Sequence, residues 1–203
     1  MNGAPAQRAN PPRSIPFRVF LASPGDVPYE RKLAREVIEK VRGERLFRGR
    51  VNIEVVAWDQ PGAGVPMEAA LTPQDAIAEG LPKPEDCDLV VVVLWSRIGT
   101  PLPDSHRKAD GSTYLSGTEW ELENAIQGFC NRRKPSVWLY RREEEPTVGL
   151  KDPSRAEKLQ SFLSAWTHDD GSLAGGINGY GRRTSILCRT TSKLSGRAPW
   201  GPS

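Results

Sequence analysis

The run LVVVVLW, Leu89–Trp95, limits the fold more than any other stretch of the chain. It is strand-length, β-branched through its centre and free of polar alternates. A strand with one wet face alternates apolar and polar residues, so an unbroken apolar strand must be covered on both faces, as in a parallel sheet. Parallel neighbours cannot be joined by a hairpin; they need a crossover, usually a helix. The remaining sequence should therefore alternate strands and helices.

It does so. FRVFLAS, from Phe17, is a compact β-rich run stopped by SPGD. From Pro28 to Arg42 the pattern is helical, with Leu33, Val37 and Val41 four residues apart, Ala34 and Ile38 beside them, and charge on the other face. Pro28 suits a first turn and Asp26 can cap it. A basic loop between Gly43 and Gly49 leads to VNIEVVAW, Val51–Trp58, and DQPGAGVP follows as a loop. TPQDAIAEG predicts a short helix from Thr72 to Gly80. After the Leu89 strand and a long loop, Ser96 to Ser116, a helix is predicted over Thr118–Phe129, entered through Gly117-Thr118. Leu122, Ala125, Ile126 and Phe129 form its stripe. PSVWLY, Pro135–Tyr140, is a fourth strand, and Ser154–Trp166 a last helix capped by Ser154.

The order β-α-β-α-β-α-β-α with right-handed crossovers predicts an α/β, flavodoxin-like three-layer sandwich on a mostly parallel sheet. No internal repeat is visible. The expected domain covers residues 17–180. Residues 1–16, rich in Pro, Ala and Asn, read as a disordered lead-in, and 181–203 as an irregular or disordered tail. That tail has neither period, and no acidic residue follows Asp170, so a divergent or frame-shifted end is expected where a fifth strand and closing helix would belong.

Composition narrows the function classes. A chain of 203 residues can build one full core. A net charge of +3 gives no reason to expect nucleic acid or a membrane surface as partner. No run approaches the roughly 18 apolar residues of a membrane span, and no apolar signal region follows Met1. Cys87, Cys130 and Cys188 are odd in number and widely spaced, which suggests neither a disulfide framework nor a metal site and makes a reducing cytoplasm the default. A cysteine nucleophile would need a histidine partner, and His106 and His168 both lie in loop-like sequence.

In open parallel sheets, ligands sit beyond the carboxyl ends of the strands. That edge should gather SPGD, WDQPGAG, WSRIGT and the start of the SGTEWELE helix, hence Ser23, Asp26, Trp58, Asp59, Trp95, Arg97 and the glutamates 119, 121 and 123. Measured from Leu122 at roughly 100° per residue, Glu119 and Glu121 fall on the two shoulders, Trp120 points almost opposite and Glu123 faces outward. Periodicity does not choose between Glu119 and Glu121, and first-turn acids are common simply because they complement the helix dipole. Ser23 with the backbone N–H groups of Gly25 and Asp26 could meet phosphates at a helix start, although SPGD reads equally as a loop and cap. Arg97 fits a phosphate or partner contact, or a solvated loop arginine, and Asp26 and Asp59 fit a cap and a turn.

GTEWELENA resembles the segment that carries the catalytic glutamate of nucleoside deoxyribosyltransferases, and FLASPGD resembles their first strand and ligand loop. The span Phe17–Trp166 is more similar to a prokaryotic TIR-like family, a domain of unknown function usually found before STAND-type NTPase and repeat modules. VFLASPGDV, VVAWDQ, DLVVVVLWSRIGTP and SGTEWELENA carry the resemblance. It implies a signalling or effector domain of bacterial defence. By analogy with TIR NADases it implies NAD as substrate, no resident cofactor, and Glu121, four residues before Ala125, as the carboxylate of N-glycosidic cleavage. The tryptophan those enzymes often place four residues before the glutamate is Gly117 here, which leaves Trp58 or Trp95 to stack a base. The alternative implied by the same family is a non-catalytic interaction module that self-associates or docks partner domains, with Trp120 outward as a contact. A deoxyribosyltransferase would need residues from a neighbouring subunit, and the sequence contains no sign of them.

Overall fold

A computed structural model of the protein describes residues 14–57, 81–108, 110–142, 144 and 152–164. Four strands, β1 (Ile15–Ala22), β2 (Val51–Val56), β3 (Leu89–Leu94) and β4 (Ser136–Arg141), form one sheet in the order β2-β1-β3-β4. All three pairings are parallel, with Val19 opposite both Val55 and Leu89, and Val91 opposite Trp138. The helices are α1 (Pro28–Gly43), α2 (Gly117–Arg132) and α3 (Pro153–Ser164), with a short 3-10 turn at Pro84–Asp86. The fold is α/β, a three-layer arrangement of flavodoxin-like type. No helix among the described residues is long and apolar enough to cross a membrane.

The unbroken run in β3 behaves as its composition requires. Val90, Val92 and Leu94 join Phe20, Ala22, Val137 and Leu139 against the α2 residues Leu122, Ala125 and Ile126 and the α3 residues Leu159, Phe162 and Leu163. The alternate residues, Leu89, Val93 and Trp95, turn to the opposite face, where α1 contributes Ala34, Ile38 and Val41. β2, on the sheet edge, instead mixes exposed Asn52 and Glu54 with buried Ile53 and Val56. The α1 face is covered unevenly. Leu33 and Val37 remain 39% and 52% exposed and, with Val91, Trp138 and Tyr140, line an open groove of about 760 Å³.

Element ends differ from the sequence expectation where a neighbouring group took over. β1 begins at Ile15, whose N–H donates to Arg50, rather than at Phe17. Pro16 is tolerated because β3 joins β1 only from Val19, so Pro16 has one strand neighbour instead of two. Asp26 does not cap α1: the cap position is Val27, with no side-chain bond, and the Asp26 carboxylate is used elsewhere. α2 is capped by Ser116, whose Oγ accepts from the Glu119 N–H at 3.1 Å, and runs to Arg132, where Arg133 closes it in the left-handed conformation. Asp152, not Ser154, caps α3, accepting from the N–H groups of Ser154 and Arg155. Gly128 permits α2 to seat on the 3-10 turn, since a Cβ there would stand 2.8 Å from that of Glu85. The helix expected at residues 72–80, the Trp58 end of the second strand and the tail 181–203 lie outside the described residues.

Cys87 is a free, buried thiol pushed up to about 12 by burial and so is inert at neutral pH.

Replacement of the fully buried Leu122 by alanine should cost about 2–5 kcal/mol in urea unfolding, whereas Leu46→Ala, at an exposed site, should stay within about 0.5 kcal/mol.

Candidate active site

The switch point of the sheet lies between β1 and β3, the strands from which the chain departs in opposite directions. Just beyond their carboxyl ends stand Ser23 and Ser96, both buried. Three side-chain groups meet along this edge.

The first is Ser23, Arg31 and Glu121. Arg31 reaches back from the first turns of α1 and donates to both the hydroxyl and the carbonyl of Ser23. Glu121 comes from α2, on the other face of the sheet, and is 2% exposed. Burial pushes its carboxyl up to about 8 from 4.5, and the Arg31 charge works in the opposite direction. The described residues give Glu121 no hydrogen bond, so the guanidinium of Arg31 is its principal electrostatic partner there. Burial thus favours the protonated form of Glu121, and the Arg31 charge favours the ionised one.

The second group is Asp26, Ser96, Arg97 and Gly25. The Asp26 carboxylate accepts from the Ser96 N–H at 3.0 Å and from its hydroxyl at 2.7 Å, which ties the loop after β1 to the loop after β3. Its other oxygen faces Arg97 Nε at 3.7 Å. The Arg97 guanidinium lies over Gly25, 3.4 Å from where a Cβ would be. Asp26 is thus a structural tie across the switch point. Arg97 is the cation left partly open to a ligand.

The third group occupies Trp95. Its ring carries the Arg142 guanidinium at 4.0 Å, its Nε1 donates to the Glu144 carbonyl at 2.7 Å, and Arg142 pairs with Glu30 at 3.0 Å. Trp95 is thus packed with the α1-face cluster, and one face of its ring, expected to stack a base, carries Arg142. Trp58 lies outside the described residues. The large groove is also on the α1 face; neither Ser23, Asp26, Arg97 nor Glu121 lines it.

The three glutamates divide sharply. Lys108 places its ammonium 2.8 Å from Glu119 and 2.7 Å from Glu123, and Glu119 also accepts from the Leu115 N–H. Burial alone would lower the Lys108 pKa, but these two carboxylates more than reverse it. Glu123, expected to face solvent, is partly buried, and burial holds its pKa above the usual range despite Lys108. Trp120, expected to point outward, is half-buried against the core. Both corrections have one cause. The loop after β3 closes over the first turns of α2, so a helix expected to bury one face buries several. Gly99, at φ +128, brings that loop close enough for Ser116 to donate to the Ile98 carbonyl at 2.8 Å.

Two partners escaped the sequence reading. Arg31 sits in the basic run ERKLAR, where no period distinguishes it from Lys32 or Arg35, and Lys108 lies in a polar loop with no motif. Among the described residues, no group of three or more His, Cys, Asp or Glu is arranged to hold a metal ion. Comparison with family models, curated proteins and solved structures finds no match, so the functional reading rests on the site itself.

Two outcomes check this geometry. Ser116→Ala removes a cap and a buried bond together and should cost about 1–3 kcal/mol in chemical denaturation. Glu121 should also leave a pH signature. Between its ordinary 4.5 and about 8 the native state keeps a proton that the unfolded chain has released, so parental stability falls as pH rises through this window. Glu121→Gln abolishes that dependence. Unfolding measured across pH should show the variant gaining on the parent by about 1.4 kcal/mol per pH unit inside the window and by nothing outside it.

Proposed function

We propose that the chain is a TIR-like signalling or effector domain whose rim site binds NAD or a related nucleotide and cleaves its N-glycosidic bond, with Glu121 as the essential carboxylate. The observation that carries this reading is the withdrawal of Glu121 from water at the switch-point edge, with the Arg31 guanidinium as the charged neighbour found among the described residues. A carboxyl buried at such cost in a rim position is poised for chemistry on a cationic centre. NAD brings one. Its pyridinium favours ionisation of Glu121, and the carboxylate then stabilises the oxocarbenium character that develops at the ribose as the C1′–N bond breaks. The bonding electrons leave with neutral nicotinamide, water adds to C1′, and one proton is released. Arg97 and the Gly25 backbone are the groups offered to the phosphates. Ser23 acts through Arg31, and Asp26 by holding the two loops together.

A second reading, a non-catalytic module for self-association or for docking partner domains of a STAND NTPase-type sensor, draws on the open apolar groove beside α1. The setting in bacterial defence rests on the family resemblance alone.

Nicotinamide release from NAD by purified protein separates the two. The first reading expects turnover that rises with pH toward about 8 and falls at least 100-fold in Glu121→Gln. Activity lost in Glu119→Gln but retained in Glu121→Gln would reassign the carboxylate. No release at high protein concentration would favour the docking module.

A further inference from the structure

The clamp around Lys108 has no role in the chemistry above, yet it is a well-enclosed cluster of one ammonium and two carboxylates. The Lys108 side chain is 16% exposed, between Glu119 at 5% and Glu123 at 21%. Its backbone is fixed as well: the Lys108 N–H donates to Ser112, the Gly111 N–H donates to the Lys108 carbonyl, and the ammonium lies 5.2 Å from the Tyr114 ring centre. Glu119 and Glu123 are four residues apart and share one side of α2, whereas Glu121, roughly 200° from each, leaves from the other.

We propose that Lys108 is a positioning residue for Glu121: by gripping the far side of the first two turns of α2 it holds them under the loop and keeps the intervening carboxyl seated at the rim. The inference rests on Glu121 as the working carboxylate, but its measurement needs no turnover. The charged and titratable groups around the clamp are Glu119 and Glu123 from α2 and Asp110 and Tyr114 from the loop; Arg31 of α1 acts on Glu121 itself.

Because Lys108→Met alone would strand a buried carboxylate, the test uses the neutral triple variant Lys108→Met/Glu119→Gln/Glu123→Gln, with Lys108→Arg as the conservative control. Carbon-13 carboxyl NMR, assigned by the signal missing in Glu121→Gln, reads the Glu121 titration directly. The triple variant should lower its midpoint by about one pH unit or more as water reaches the carboxyl, and Lys108→Arg should keep it near the parental value. An unmoved midpoint, or a triple variant that does not fold, would assign Lys108 to the fold alone and overturn the proposal. A moved midpoint in a protein that releases no nicotinamide would keep the positioning role and remove the catalytic one. Parental, Glu121-dependent turnover in the triple variant would do the reverse.

Discussion

The whole structure depends on β3 being dry on both sides. A strand with no polar face cannot sit at a wet edge, so it takes an inner place between β1 and β4 and requires helices above and below. With β1 and β3 adjacent and parallel, the loops that follow them come side by side. Asp26 accepting from Ser96 is the polar consequence of an apolar demand. The rim site exists because two loops from unlike parts of the chain are forced to share one edge.

Much of this could be read from the sequence because it depends on periodicity. The four strands follow from compact apolar, β-rich runs, the helix from Pro28 and the α2 stripe of Leu122, Ala125 and Ile126 from a 3.6-residue spacing, and the parallel order from their alternation. The ends of elements were less legible, because a cap is decided by competition among nearby oxygens. Asp26 was claimed by Ser96, and Asp152 reached the α3 amides that Ser154 was expected to serve. Of the expected rim residues, Ser23, Asp26, Arg97 and Glu121 do lie at the carboxyl edge, but Trp95 is spoken for by Arg142.

The glutamates show where periodicity stops. A helical wheel assumes one dry side. Here the loop after β3 supplies a second cover, so Glu119 and Glu123 become partners of a lysine that no pattern marks, and Trp120 loses its outward face. Glu121 leaves the opposite side of the helix from that pair and is buried near Arg31, a neighbour brought to it by a distant part of the chain.

The pairing of Arg31 with Ser23 has a wider reach than a local bond. Arg31 belongs to the layer above the sheet and Glu121 to the layer below, so the cation and the acid approach each other around the end of a strand, not along one surface. The proton on Glu121 is thus set by two layers at once: burial under α2 raises its pKa, and a charge from the opposite layer works to lower it.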